Sequence, residues 1–305
     1  MIHHGFSLVV VSVLSVCWFA SSPTVYAGDI ELFAAGKILD HEQVGSNLPE
    51  PSAAPYSFLV ALMAITEDSI TEATAYAPSG DSETLSQDGT DWYIPGLDDE
   101  EYADEATFST DYPDGDYRIV VNTQNDDTVD ETLNISGTFP DAPFILDAQA
   151  LQTLNPGRDV TLRWRSWSDA DADDLIRVEI ERVTGDDDET VYVTMLTDAS
   201  TTDIVIPAET FSAGETYYVT LVFFRVSDSF DLGSRNGLPT GLAGYLSETD
   251  LRIDVPAAVT DLAVSNASAA PTTANSGETV TLSAEVENVG TVDITDAQIE
   301  FRSGP

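Results

Sequence analysis

The sequence predicts an all-β protein made of antiparallel sandwiches in tandem, and three observations predict it. Nearly every apolar run after residue 55 is short and bounded by Gly, Pro, Asp or Asn, while helical periodicity is scarce. Inside those runs apolar and polar residues alternate with period two, the pattern of a strand with one face buried and one wet. The chain has 305 residues, 42% of them hydrophobic. That is enough for two or three packed cores, since single cores stop growing near about 250–300 residues.

The leading 27 residues stand apart. Phe6 to Ala20 is an uncharged run of 15 residues, FSLVVVSVLSVCWFA, followed by SSPTVYA and then Gly28-Asp29. Small residues at Val25 and Ala27 complete the grammar of a secretory signal peptide, residues 1–27. The run falls short of the ~20 residues that a bilayer core requires, so no membrane insertion of the mature chain is expected. Cys17, the single cysteine, lies inside this segment. The mature chain therefore depends on core burial, without disulfides or cysteine metal sites.

From residue 28 to 142 the chain reads as a β-rich domain of no recognised family. Its opening, which holds His41, shows little pattern. Tyr56–Ile65 reads as a buried strand and Ser69–Pro78 as its partner strand. Gly96–Phe108, GLDDEEYADEATF, reads as an acidic loop region. A turn at Pro113-Asp114-Gly115 then feeds a strand whose Tyr117, Ile119 and Val121 share one face, and Thr132–Ser136 closes the domain.

PDAP, Pro140 to Pro143, punctuates the boundary to a second unit, residues 143–258. In VTLRW, Val160, Leu162 and Trp164 face one way and Thr161, Arg163 and Arg165 the other. Ile176, Val178 and Ile180 alternate with Arg177, Glu179 and Glu181. A turn at Gly185–Glu189 leads to Val191, Val193 and Met195. Ile204–Ile206 is a further strand, and after Gly214 comes a long one with Tyr217, Val219, Leu221 and Phe223 on one face. Ser227–Glu248 reads as a long loop, and Leu251, Ile253 and Val255 as the last strand.

VTLRW, the segment IPAETFSAGETYYVTL and the placement of Tyr217 three residues after Gly214 resemble a fibronectin type III-like sandwich, in which a tyrosine occupies a corner. In residues 259–305, Asp261-Leu262, Asn275-Ser276-Gly277-Glu278, the alternating Val280, Leu282, Ala284 and Val286, and Asn288-Val289-Gly290 resemble the cell-adhesion-related domain found in bacteria, CARDB, an immunoglobulin-like module. Together the resemblances imply tandem immunoglobulin/fibronectin-like antiparallel sandwiches. Such a module takes about 100 residues and 47 are present, so the expectation is a partial domain belonging to a longer protein.

The charge is extreme. Eleven basic residues, of which Lys37 is the one lysine, face 54 acids, for a formal net charge of -43. This field repels phosphate backbones and anionic lipid, which excludes nucleic acid as a partner. Salt adaptation and calcium binding both account for it. SDADADDLIRVEI, Ser168 to Ile180, tests the second: Asp169, Asp171 and Asp173 take the first, third and fifth positions of a calcium loop. Asp174 stands where the loop needs Gly and Ile180 where it needs a bidentate Glu, so it is not an EF-hand. A looser Ca²⁺ site on those three aspartates and a solvated turn both remain open; no other cofactor is expected. Asp186, Asp187 and Asp188 are explained by a hairpin turn.

Catalytic patterns are missing from the sequence: of three histidines only His41 lies beyond the leading segment, and no nucleophile-elbow, phosphate-loop or zincin motif occurs. No enzymatic activity is expected. Trp164 is assigned to a core, whereas Trp167, and next Trp92, are expected at the surface, where their rings could stack on sugars. The expected function is thus a secreted or cell-surface structural or adhesion protein. Its expected partner is an extracellular protein or polysaccharide. The alternatives are a carbohydrate-binding module protein and an accessory part of a large exported hydrolase.

Overall fold

In the computed structural model, residues 29–94, 100–125, 127–185, 188–232, 238–257 and 261–288 are described, with 294, 297–298 and 300–301 near the end. They form an all-β, largely antiparallel architecture with two short helices. The leading segment, the Asp186 and Asp187 part of the acidic hairpin, Val289, Gly290 and Ile299 lie outside the described residues.

The stretch after residue 28, expected to carry little structure, is instead the central strand β1 (Ile30–Gln43). Its sequence, IELFAAGKILDHEQ, does not alternate because both its faces are covered: Phe33 and Ala35 point into one core while Leu32, Ala34 and Ile38 point the opposite way. It pairs antiparallel with β2 (Glu50–Ala64) and parallel with β14 (Gly241–Asp254). Next come β3 (Ile70–Tyr76), β4 (Ser82–Thr84), β5 (Ser86–Asp88) and β6 (Asp91–Tyr93). The expected partnership of β2 with the Ser69–Pro78 strand is not formed. β2 pairs with β6, and β3 crosses to a second sheet beside β4 and β7 (Gly115–Thr123), which is closed by β8 (Val129–Ile135). The acidic stretch read as loop, Gly96–Phe108, ends in the first turn of α1 (Glu105–Asp111), capped by Asp104, whose carboxylate accepts from Thr107 N at 2.9 Å. Only Phe108 of this helix is buried, so no apolar stripe advertised it.

In the second half α2 (Ala148–Leu151) precedes β9 (Val160–Arg163), β10 (Leu175–Arg182), β11 (Glu189–Leu196), β12 (Asp203–Ile206) and β13 (Thr216–Phe230). The segment Ser227–Glu248, read as a loop, belongs largely to a long hairpin: β13 continues to Phe230 and β14 starts at Gly241. A shift in register at Val226/Asp228 breaks the alternation there, and Gly241 and Gly244 interrupt the apolar pattern. A Cβ on Gly244 would collide with the backbone carbonyl of Arg225, so β13 and β14 approach closely only because that residue is Gly. The corner tyrosine is present, with the Tyr217 hydroxyl accepting from Ser212 N at 2.7 Å.

The sheets assemble around one platform, an eight-stranded sheet ordered β11-β10-β13-β14-β1-β2-β6-β5. β14 shows how it serves both halves of the chain. Ala243 and Tyr245 enter one core with residues of β1, β2, β3, β7 and β8, whereas Leu251 and Ile253, on the same face further along, enter a second core with β9, β10, β12 and β13. The expected boundary near residue 142 thus falls between two cores that share a single sheet. The four-stranded sheet β4-β3-β7-β8 closes the first, and the pair β9/β12 with α2 closes the second. The opposite face of the platform carries a third apolar cluster, with Leu32, Ile38, Leu59, Val222, Phe224 and Leu246.

Polar ties reinforce the junction. The Gln43 amide donates to Ile145 O at 2.7 Å and accepts from Ile145 N at 2.9 Å, and Ser247 Oγ donates to Pro140 O at 2.8 Å. These bonds satisfy buried backbone groups at the PDAP crossing. Beyond it, β15 (Leu262–Ala270) and β16 (Thr281–Asn288) form a separate antiparallel pair. Gly277 turns the chain between them at φ +94°, and Val264, Leu282 and Phe301 are exposed. No described helix is long and apolar enough to cross a membrane.

Candidate functional site

The aspartate turn joins β9 to β10 and is held from the side by β13. Asp174 is buried and works as a backbone clamp: one carboxylate oxygen accepts from Asp171 N at 2.8 Å and the other from Val226 N at 3.0 Å. Burial raises its pKa, partly opposed by those two bonds. Asp169 is committed to Arg225, with Oδ2 at 2.6 Å from the guanidinium, and that bond lowers its pKa. Asp171 and Asp173 are exposed. Among the described residues, no group of three or more His, Cys, Asp or Glu is placed to hold a metal ion. Asp169, Asp171 and Asp173 are neighbours in sequence, but Asp169 is bound to Arg225 while Asp171 and Asp173 face solvent.

Trp167 is buried, contrary to the expectation of a surface ring, and so is Trp92. The Trp167 ring stacks on Phe223 with centroids 4.8 Å apart and an interplanar angle of 3°, and the Arg225 guanidinium carbon lies 5.6 Å from its centroid. Its stacking surface is occupied from within the protein. Beside it opens a shallow cleft of about 340 Å³ lined by Trp167, Asp171, Asp198 and Ser200. Trp164 is a core residue as expected, with its indole N–H donating to Thr201 O at 2.9 Å.

Lys37 is buried at 2% exposure. β1 delivers its ammonium to Asp114, 2.5 Å away, between the rings of Tyr245 and Phe108 at 5.4 and 5.7 Å. Opposite charge and two aromatic faces account for a buried lysine without invoking chemistry.

A group with a different character lies on the outer face of the platform. β1 and β14 run parallel, and their register sets Asp40 opposite Glu248 and Glu42 opposite Asp250. Asp40 is 5% exposed and Glu248 3%, and neither Oδ of Asp40 has a hydrogen-bond donor. Desolvation first, and then the Glu248 charge, push the Asp40 pKa well above the usual carboxylate range. The same two causes push Asp250 up to about 8, while the Thr220 hydroxyl, donating to it at 2.6 Å, pulls the other way. His41, between the two acids on β1, lies with Nδ1 3.0 Å from Glu248 O, and burial lowers its pKa. No local sequence signal marks these carboxylates among 54 acids. Only the pairing of strands some 200 residues apart brings them together.

No protein-family model and no curated protein matches this chain. Among solved structures, the FN1–FN3 domains of chicken CNTN1 superpose with a TM-score of 0.24 and 11% identity, covering 78% of this chain and 71% of that one. Native Escherichia coli alpha-2-macroglobulin gives a TM-score of 0.25 at 11% identity over 68% of this chain. Salmonella alpha-2-macroglobulin reacted with methylamine gives 0.23 at 11% over 73%. This chain covers only 14% and 15% of those two macroglobulin chains.

Proposed function

We propose that this chain is an exported, non-catalytic protein of β-sandwich modules with a structural or adhesive role at the cell surface. The observation that carries the reading is the shared platform. Eight hydrogen-bonded strands at about 4.8 Å spacing make a stiff sheet some 35 Å across, and two cores are anchored on one of its faces. Three of the buried polar groups that would otherwise suggest chemistry have structural engagements: Lys37 is paired with Asp114, Asp174 clamps a turn, and Arg177 pairs with Glu179. The partner in this reading is an extracellular protein or polysaccharide, reached through the exposed acidic loops. The signal-peptide grammar of residues 1–27 supports export. The resemblance of residues 259–305 to CARDB supports adhesion. The test is to express the chain in a bacterial host and sequence the exported product. A product starting at Gly28 that binds immobilised cells or matrix without altering them is expected. Retention of the whole chain inside the cell, or turnover of a bound polysaccharide, would overturn the proposal.

A further inference from the structure

The seam between β1 and β14 is the only ladder in the described platform that joins β1 and β2 to β10, β11, β13 and β14. At its far end it sets acid against acid, Asp40 against Glu248 and Glu42 against Asp250. Glu42 is exposed and Asp250 partly so, but Asp40 and Glu248 are each less than a tenth wet, and two ionised carboxylates so placed repel strongly and lack the water that would screen them. Among the described residues, the arginines of this face already have carboxylate partners, including Arg177, which lines the same small cavity as Glu248. On this outer face Arg177 of β10 is engaged by Glu179, and Arg252 of β14 by Asp254. β13 contributes Thr220, bonded to Asp250, and β10 adds Glu181, a further negative charge felt by Asp250. Glu101, from the loop before α1, adds another beside Asp40. His41 offers only its ring nitrogen to the Glu248 carbonyl.

A cation or a proton could neutralise such a pair. Among the described residues the donors are not placed as a metal set of three or more, whereas a proton needs only two carboxyls, and the register sets Asp40 and Glu248 side by side. We propose that the Asp40 and Glu248 carboxyls share one proton, so that the β1–β14 seam is a proton-dependent latch between the two cores. With one proton bound, an O–H···O⁻ bond crosses the seam and gives Asp40 the partner it otherwise lacks. When that proton leaves for water the pair carries two negative charges, and the seam weakens. Both raised carboxyls, Asp40 and Asp250, act in the same direction. This goes beyond the adhesive reading and does not depend on it: export or binding could fail while the latch stands.

The test uses the full chain. Its thermal midpoint is followed from pH 6 to pH 8.5 beside Asp40→Asn, whose amide donates to Glu248 at every pH. The wild-type midpoint is expected to fall by about 5 °C more than that of the variant. Equal slopes, or a variant destabilised equally at every pH, would overturn the latch. Should the variant not fold, infrared spectra of the unmodified protein decide: a carboxylic-acid carbonyl band persisting above pH 6 and retained in Asp250→Asn supports the shared proton. Its absence, or its loss in Asp250→Asn, contradicts it. A midpoint lowered by EDTA would assign the site to a metal and equally refute the proposal.

Discussion

Single side chains carry the two cores, and their burdens can be measured. Trp164 is at the centre of the second core with its N–H bonded, so Trp164→Ala should cost about 3–5 kcal/mol in denaturant unfolding. Trp167, stacked on Phe223, should cost a similar amount. An effect below about 1 kcal/mol at Trp167 would restore the exposed ring that the sequence suggests. The sequence could not separate the two tryptophans because Trp167 follows the strand rather than belonging to it. Its burial arises from Phe223 and Arg225, which are more than fifty residues away. Tyr217→Phe removes the acceptor for the Ser212 N–H while leaving the ring in place, and an unsatisfied amide should lower stability by about 1–3 kcal/mol. Here the sequence was informative, since the spacing from Gly214 placed the tyrosine at its corner.

At the scale of elements, strands whose apolar and polar residues alternate were legible, even where the polar side is buried as in Leu175–Arg182, and β1, which does not alternate, was not. Val160–Arg163, Leu175–Arg182 and Gly115–Thr123 alternate, and each appears where the alternation put it. β1 has apolar residues on both sides, an internal Lys37 and an acidic end, so its pattern imitates an unstructured opening. The β13–β14 hairpin was concealed by its register shift and its glycines. That concealment makes a prediction. Gly244→Ala should disrupt the hairpin, because the new Cβ meets an Arg225 carbonyl that cannot rotate away as a side chain could. Hydrogen exchange should accelerate across both strands, and unchanged protection would show that the close approach is not required. The seam carboxylates were illegible for a related reason: acid density hides which pairs face each other, and pairing over such a separation is a property of topology alone.

At the scale of the whole molecule, charge and topology act together. The unfolded aspartate pKa is about 3.9, and Asp250 is raised in the folded protein to about 8. The folded state therefore holds the proton more tightly. The stabilisation from that proton is complete below about pH 4 and is lost as pH rises toward 8, at most about 1.4 kcal/mol per pH unit for one group. Exposed acids whose pKa values are lowered by their partners, such as Asp169 and Asp254, act in the opposite sense, but only as pH falls toward their own low values. Stability should accordingly peak on the mildly acidic side of neutrality. Added salt should raise it most at alkaline pH, where a formal charge of -43 is least neutralised.

The central claim is that two cores are anchored on one sheet and joined across β1 and β14. Guanidinium unfolding of the full chain, read by hydrogen exchange in two windows, tests it most directly. One window covers Tyr117–Val121 in the first core and the other Val219–Phe223 in the second. The account predicts that both windows lose protection at the same denaturant midpoint, and that Gln43→Ala, which unties Ile145, lowers the two midpoints together. A first core that stays protected after the second has unfolded would contradict it.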